Sequence, residues 1–255
     1  MRERTHVALR EPLSCADPAN RLDIMHKSIV LWALAVTIPA VAPAALAQDR
    51  PGIAVFPFTN GGAYGPARED LSSLAVGIQQ MLLTELQQNP ALRIVERGSL
   101  RAVLDEQDLA PGGRVDPGTA ARMGRLVGAR YAITGAYMDM FGNFRLDARI
   151  VDVETGEVLR ATRIENQQRE HLYRLMVDMA GQIVRDVNLP PLEAAVQQER
   201  RARNIPNTAT LLYSRALQYA ENGRTAEAVQ LYRDLVQRFP DYTEPREALR
   251  QLDRG

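Results

Sequence analysis

Residues 144–150 read Phe-Arg-Leu-Asp-Ala-Arg-Ile. Phe144, Leu146, Ala148 and Ile150 alternate with Arg145, Asp147 and Arg149. Apolar and charged side chains that change sides at every second residue make a strand with one dry and one wet face. Working outward, Gly142-Asn143 predicts a tight turn after a strand at 130–140, and Glu154-Thr155-Gly156-Glu157 predicts another before a strand at 157–166. Three strands therefore form a meander. Tyr131 and Tyr137 share a face of the first of them, as core packing requires.

Upstream, Gly52 to Phe58 is a short apolar run of strand formers, followed by a loop at Asn60-Gly61-Gly62-Ala63-Tyr64-Gly65-Pro66. Leu71, Leu74, Ala75, Ile78, Met81, Leu82 and Leu86 recur every three or four residues, which predicts one stripe of a helix ending at Asn89-Pro90. Leu92 to Val95 is a second strand, and Ser99 is the expected cap of a helix burying Leu100, Val103 and Leu104. After a break at Pro111-Gly112-Gly113, Asp116-Pro117 starts a short helix whose apolar side is Met123, Leu126 and Val127, closed by Gly128. Downstream of the meander, Leu172, Leu175, Met176, Met179, Ile183 and Val187 mark a long helix ended by Pro190-Pro191. The order is β-α-β-α-α-β-β-β-α, an α+β domain in which helices pack on a mixed sheet over residues 50–190.

Beyond Pro191 strand patterning stops, and residues 191–255 read as a small all-α region. Segment 209–242 fits one tetratricopeptide-like repeat: Leu212, Ala216 and Tyr219 on a first helix, Asn222-Gly223 at the turn, Ala228 and Tyr232 on a second, Pro240 at its end. One repeat is too short to stand alone, so it leans on helices near 193–203 and 244–253 or on a partner. In that register Tyr213, Leu217 and Ala220 line the concave side of the first helix and are the candidate partner-binding residues. The alternative is that flanking helices bury them.

Composition narrows the chemistry. The chain of 255 residues has 31 Lys+Arg against 31 Asp+Glu. With no net field to attract a polyanion, no nucleic-acid partner is expected. Cys15 is the only cysteine and Lys27 the only lysine, which excludes an internal disulfide, a metal-thiolate site and a lysine nucleophile in the body of the protein. Residues 25–47 have a basic start, a short apolar run from Ile29 to Ile38 and small residues before Gln48. That is a secretory signal peptide cut after Ala47, too short to cross a bilayer, so no direct membrane span is expected. Residues 1–24 read as an over-long start ahead of Met25.

No catalytic arrangement emerges. His171 is the one histidine after the leader and lies beside Glu170, with no nucleophile motif to serve. The loop at residues 60–66 lacks the glycine spacing and the Lys-Ser or Lys-Thr of phosphate cradles. Glu154 with Glu157, and Asp105, Glu106 and Asp108, flank turns or helix ends where solvated carboxylates are ordinary. No catalytic residue, cofactor or metal is expected.

Four stretches carry a family resemblance: IAVFPFTN at 53–60, GIQQMLLTELQQNPALRIVERGSLRAVLDEQDL at 77–109, GARYAITGAY at 128–137 and RIVDVETGEVLRA at 149–161. Together, over about residues 52–187, they resemble the CsgG/HfaB family of curli-secretion and holdfast proteins. Related folds occur in the amino-terminal domain of TolB and in lipoprotein activators of peptidoglycan synthases. The resemblance implies a non-enzymatic α+β periplasmic domain used for assembly at the outer membrane, with ring formation. Two departures stand out. The membrane-crossing hairpins of the secretion channel have no room here, since each crossing strand needs about 9 to 11 residues, and the channel's lipid-bearing cysteine is missing. The reading is a periplasmic accessory or scaffold protein for envelope assembly or curli-like export. It would bind envelope or outer-membrane proteins, and the ring the resemblance implies would make it a homo-oligomer. An activator of an envelope enzyme such as a peptidoglycan synthase is the alternative, and a hydrolase using His171 the weakest one.

Overall fold

The computed structural model describes residues 50–64, 70–107, 115–166 and 171–252. The leader with Cys15 and the cut after Ala47, the break at 111–113 and the loop end Gly65-Pro66 lie outside the described residues. The described residues belong to one compact unit, Ala47–Gly255.

Six strands among them form one mixed sheet: β1 (Gly52–Val55), β2 (Thr59–Tyr64), β3 (Arg93–Ile94), β4 (Tyr131–Met140), β5 (Asn143–Asp152) and β6 (Val158–Asn166). Their order is β3-β1-β4-β5-β6, with β2 also on β4. The expected meander is present. β5 pairs antiparallel with β4 from Asp152 against Tyr131 to Asn143 against Met140, and β6 pairs antiparallel with β5. Phe144, Leu146, Ala148 and Ile150 are all buried, as the alternation requires.

The first half of the sheet differs from the sequence reading in one element. Residues 59–64 are a strand, not a loop: Thr59 and Asn60 pair in parallel with Ala136 and Tyr137, and after a register shift Ala63 and Tyr64 pair with Asp139 and Met140. The glycines that suggest a loop are what the bulge needs. A Cβ on Gly61 would stand 2.9 Å from the Tyr137 carbonyl oxygen, and Gly62 takes φ +98°, where an L side chain is strained. β1 and β2 are therefore two stretches of one interrupted strand running along β4, and Phe56 N–H bridges the gap to the Ile133 carbonyl at 2.9 Å.

Helices cover both faces. On one side α2 (Arg97–Glu106) and α3 (Pro117–Leu126) pack Leu100, Leu104, Ala120, Ala121 and Met123 on Ala54, Phe56, Ala132 and Val151. Asp116 caps α3 as expected, its carboxylate accepting the Thr119 N–H at 3.1 Å. Two details differ. Extended Glu96 precedes α2, so Ser99 lies inside the helix rather than at its cap. Leu126 is 61% exposed, having fallen on the outer side of α3.

On the other side α1 (Leu74–Gln87) and α4 (Leu172–Asp186) lie on Ile53, Val55, Ile133, Tyr137, Leu146 and Ile150. The same apolar cluster runs on into α5 (Ala194–Ala202), α6 (Asn207–Glu221), α7 (Thr225–Arg238) and α8 (Glu244–Leu252) through Ile205, Ala209, Tyr213, Leu217, Tyr232 and Tyr242. Helices α6 and α7 form the expected hairpin about Asn222-Gly223, with Ala216 and Ala228 fully buried. The helical region thus shares a core with the sheet domain.

Candidate functional site

Helix α1 explains how the two parts join. A helix covering one face of a sheet needs one apolar stripe, yet here Val76, Gly77 and Leu83 are buried as well as the stripe of Leu74, Ile78, Leu82, Glu85 and Leu86. The second buried side meets α6. A Cβ on Gly77 would overlap the side chain of Ser214, so the two helices cross almost backbone to backbone. Tyr213 is 3% and Leu217 5% exposed, and Ala220 is partly buried. Two of the three expected partner-binding residues are thus buried in the protein's own seam. The cause is the small Gly77–Ser214 crossing, which lets α6 settle onto α1. The Tyr213 ring packs against Tyr242 at 5.3 Å and Tyr232 at 5.9 Å between centroids.

A buried ion network locks the seam. Glu85 projects from α1, Arg200 from α5 and Glu244 from the first turn of α8, and all three are buried. Arg200 grips Glu85 with two donors, Nε reaching Oε2 at 3.0 Å and Nη2 reaching Oε1, and Nη2 also donates to Glu244 Oε1 at 3.1 Å. Arg203 Nη1 reaches the same Glu244 oxygen at 3.2 Å, and the Tyr173 hydroxyl donates to Glu85 Oε1 at 3.1 Å. Burial disfavours the Arg200 charge, but its hydrogen bonds and attraction to Glu85 outweigh that and raise its pKa. Burial first, then the Glu85 and Glu244 charges, push the Tyr173 hydroxyl up, keeping it a donor. A network so completely paired serves to fix one arrangement of helices; its net stabilisation is small because desolvation offsets most of the attraction. It was missed in the sequence, although Glu85 seven residues after Ile78 on an apolar helix is the signal that could have found it.

Beside this seam an open cleft of about 840 Å³ runs along the edge strand β3, lined by Arg50, Arg93, Arg97, Glu96 and Gln80, among others. Gln80, Arg97 and Gln251 also line a smaller hollow of about 120 Å³ whose wall includes Tyr213, Leu217 and Ala220. The candidate residues therefore line the neighbouring hollow and not the cleft itself. Arg97 Nη1 lies 3.4 Å from Glu221, while Arg93 donates to the Gly128 carbonyl. Arg93 N–H and Val95 N–H donate to Pro51 and Ile53 of the β1 segment at 3.1 and 2.9 Å. By strand alternation the intervening Ile94 turns its own N–H and C=O away from β1, toward the cleft.

The other candidate positions stay apart. His171 stands at the start of α4, partly buried. Glu154 pairs with Arg130, and Asp105 with Arg101 at 3.5 Å, at exposed positions. Among the described residues no three His, Cys, Asp or Glu side chains converge as metal ligands would.

What the fold and cleft define is an α+β sheet domain closed by a helical tail and carrying a polar, arginine-lined edge. Residues 36–143 match the model of the family described as "Curli production assembly/transport component CsgG". No curated protein matches the chain. Among solved structures it is similar to the LpoB C-terminal domain from Escherichia coli, at 19% identity over 47% of this chain and 84% of that one, with a TM-score of 0.38. TolB from Acinetobacter baumannii matches at 15% identity over 56% of this chain and 29% of that one, TM-score 0.40. A PelC dodecamer from Paraburkholderia phytofirmans matches at 12% identity over 55% and 89%, TM-score 0.33. Among the described residues no helix is long and apolar enough to cross a membrane.

Proposed function

We propose that the protein is a non-enzymatic accessory or scaffold protein of the CsgG type, exported by residues 25–47, that serves cell-envelope assembly or curli-like export by binding other envelope proteins. The observation that carries this reading is the CsgG domain match over residues 36–143, joined to a sheet whose β4–β5 connection is only Phe141-Gly142. That connection has no length for a membrane-crossing hairpin, which needs about 9 to 11 residues per strand. The protein would then act through its surface, alone or as a homo-oligomer.

Crosslinking in intact cells, followed by identification of the captured proteins, tests the reading. Envelope or outer-membrane proteins in the captured set support it. Recovery of the uncut chain in the cytosol, with no envelope protein attached, would sink it. A rise in the turnover of a captured envelope enzyme, such as a peptidoglycan synthase, on adding the purified protein would make it an activator rather than a scaffold.

A further inference from the structure

The cleft along β3 has a lining that is charged and bordered by an open strand edge. Arg50, Arg93 and Arg97 line it against the single carboxylate of Glu96, and Glu221 engages Arg97 from one side. Even with both glutamates counted, positive charge is in excess on a chain that is neutral overall. Isolated surface arginines are commonplace. Here they flank an edge residue, Ile94, whose backbone donor and acceptor are directed outward by the alternation of β3 against β1. An extended peptide supplies a matching acceptor and donor on one of its residues, and acidic side chains at alternate positions bring carboxylates to guanidinium groups on the same flank.

We infer that this cleft binds an extended acidic segment of a partner protein as an added strand on β3, with Ile94 making the backbone pair and Arg50, Arg93 and Arg97 holding the carboxylates. The inference rests on the docking function proposed above and names its surface and the chemistry of its partner.

The test uses the mature chain and two labelled octapeptides, one alternating Glu and Thr, the other Lys and Thr, followed by fluorescence anisotropy. The acidic peptide is expected to bind and the basic one not. Arg50→Glu with Arg97→Glu is expected to weaken binding roughly tenfold or more, the scale of one lost charge-assisted contact, and added salt to weaken it further. N-methylating alternate amides of the acidic peptide probes the strand pair without altering the protein: methylation in one register is expected to abolish binding and in the other to spare it. Equal binding of both peptides, no binding of the acidic one at millimolar concentration, or indifference to methylation in either register, as any polyanion-binding surface would show, overturns the inference. In cells, capture of envelope proteins by the doubly charge-reversed variant as efficiently as by the unaltered chain sinks the cleft and leaves the docking function standing. Absence of any capture by the unaltered chain sinks the docking function itself.

Discussion

On one side of the sheet, α2 and α3 close over Ala54, Phe56, Ala132 and Val151 with apolar side chains. On the other, α1 is sandwiched between the sheet and the tail, and its outer seam mixes apolar packing with the Glu85–Arg200–Glu244 network and four tyrosines, Tyr173, Tyr213, Tyr232 and Tyr242. The first face, drawn from residues 54–153, needs only size and shape. The second joins positions more than a hundred residues apart, where apolar surface alone would tolerate several dockings. Directional polar pairs and one close helix crossing select a single one.

Disrupting the network should separate the two faces most sharply. Arg200→Met leaves Glu85 buried beside an apolar chain and is expected to cost about 4 kcal/mol in urea unfolding. Glu85→Met together with Arg200→Met should recover most of that, since Glu244 keeps Arg203. On the opposite face Met123→Ala removes a fully buried side chain and is expected to cost about 3 kcal/mol. It should not increase protease cleavage in residues 193–252, whereas Arg200→Met should. Gly77→Ala, which drives a methyl into Ser214, is expected to cost about 2 kcal/mol and to expose the tail to protease in the same way. Equal tail cleavage in Met123→Ala and Gly77→Ala would erase the distinction between the faces.

Tyr242→Phe acts in the other direction. The Tyr242 hydroxyl is buried without a hydrogen-bond partner among the described residues, and its removal is expected to stabilise the protein by about 1 kcal/mol, seen as a raised urea midpoint. Near neutrality the weakest lever is pH. Burial pushes Tyr232 up to about 12 from the ordinary 10.0, so the folded state holds that proton more tightly than the unfolded one. Its contribution is complete below pH 10, and stability is lost as pH rises through about 12. A melting temperature that does not fall across that interval would place Tyr232 outside the seam.

The meander was legible in residues 144–150 because a strand with unlike faces writes its environment at every second position. The same rule misread residues 59–64, since Gly61 and Gly62 mark both loops and bulged strands, and only the Tyr137 carbonyl opposite decides which. The turn was placed one residue late: Phe141 and Gly142 occupy it, with φ 57° and 87°, and Asn143 opens β5. Asparagine is the better left-handed residue, so propensity favoured the wrong position. In the tail the helices and their hairpin were readable from spacing, and burial of Tyr213 and Leu217 was one of two open readings. The part α1 plays in covering them was not readable, because its second buried side shows only in the oddity of a glycine within an apolar helix.

The crossing of Gly77 with Ser214 also sets an order of events. Until α5 to α8 dock, the flank of α1 that carries Val76 and Leu83 faces water. A chain shortened anywhere before Arg200 would present that bare flank permanently, so proteases and chaperones would meet unfinished copies as sticky, and only full-length molecules would escape them.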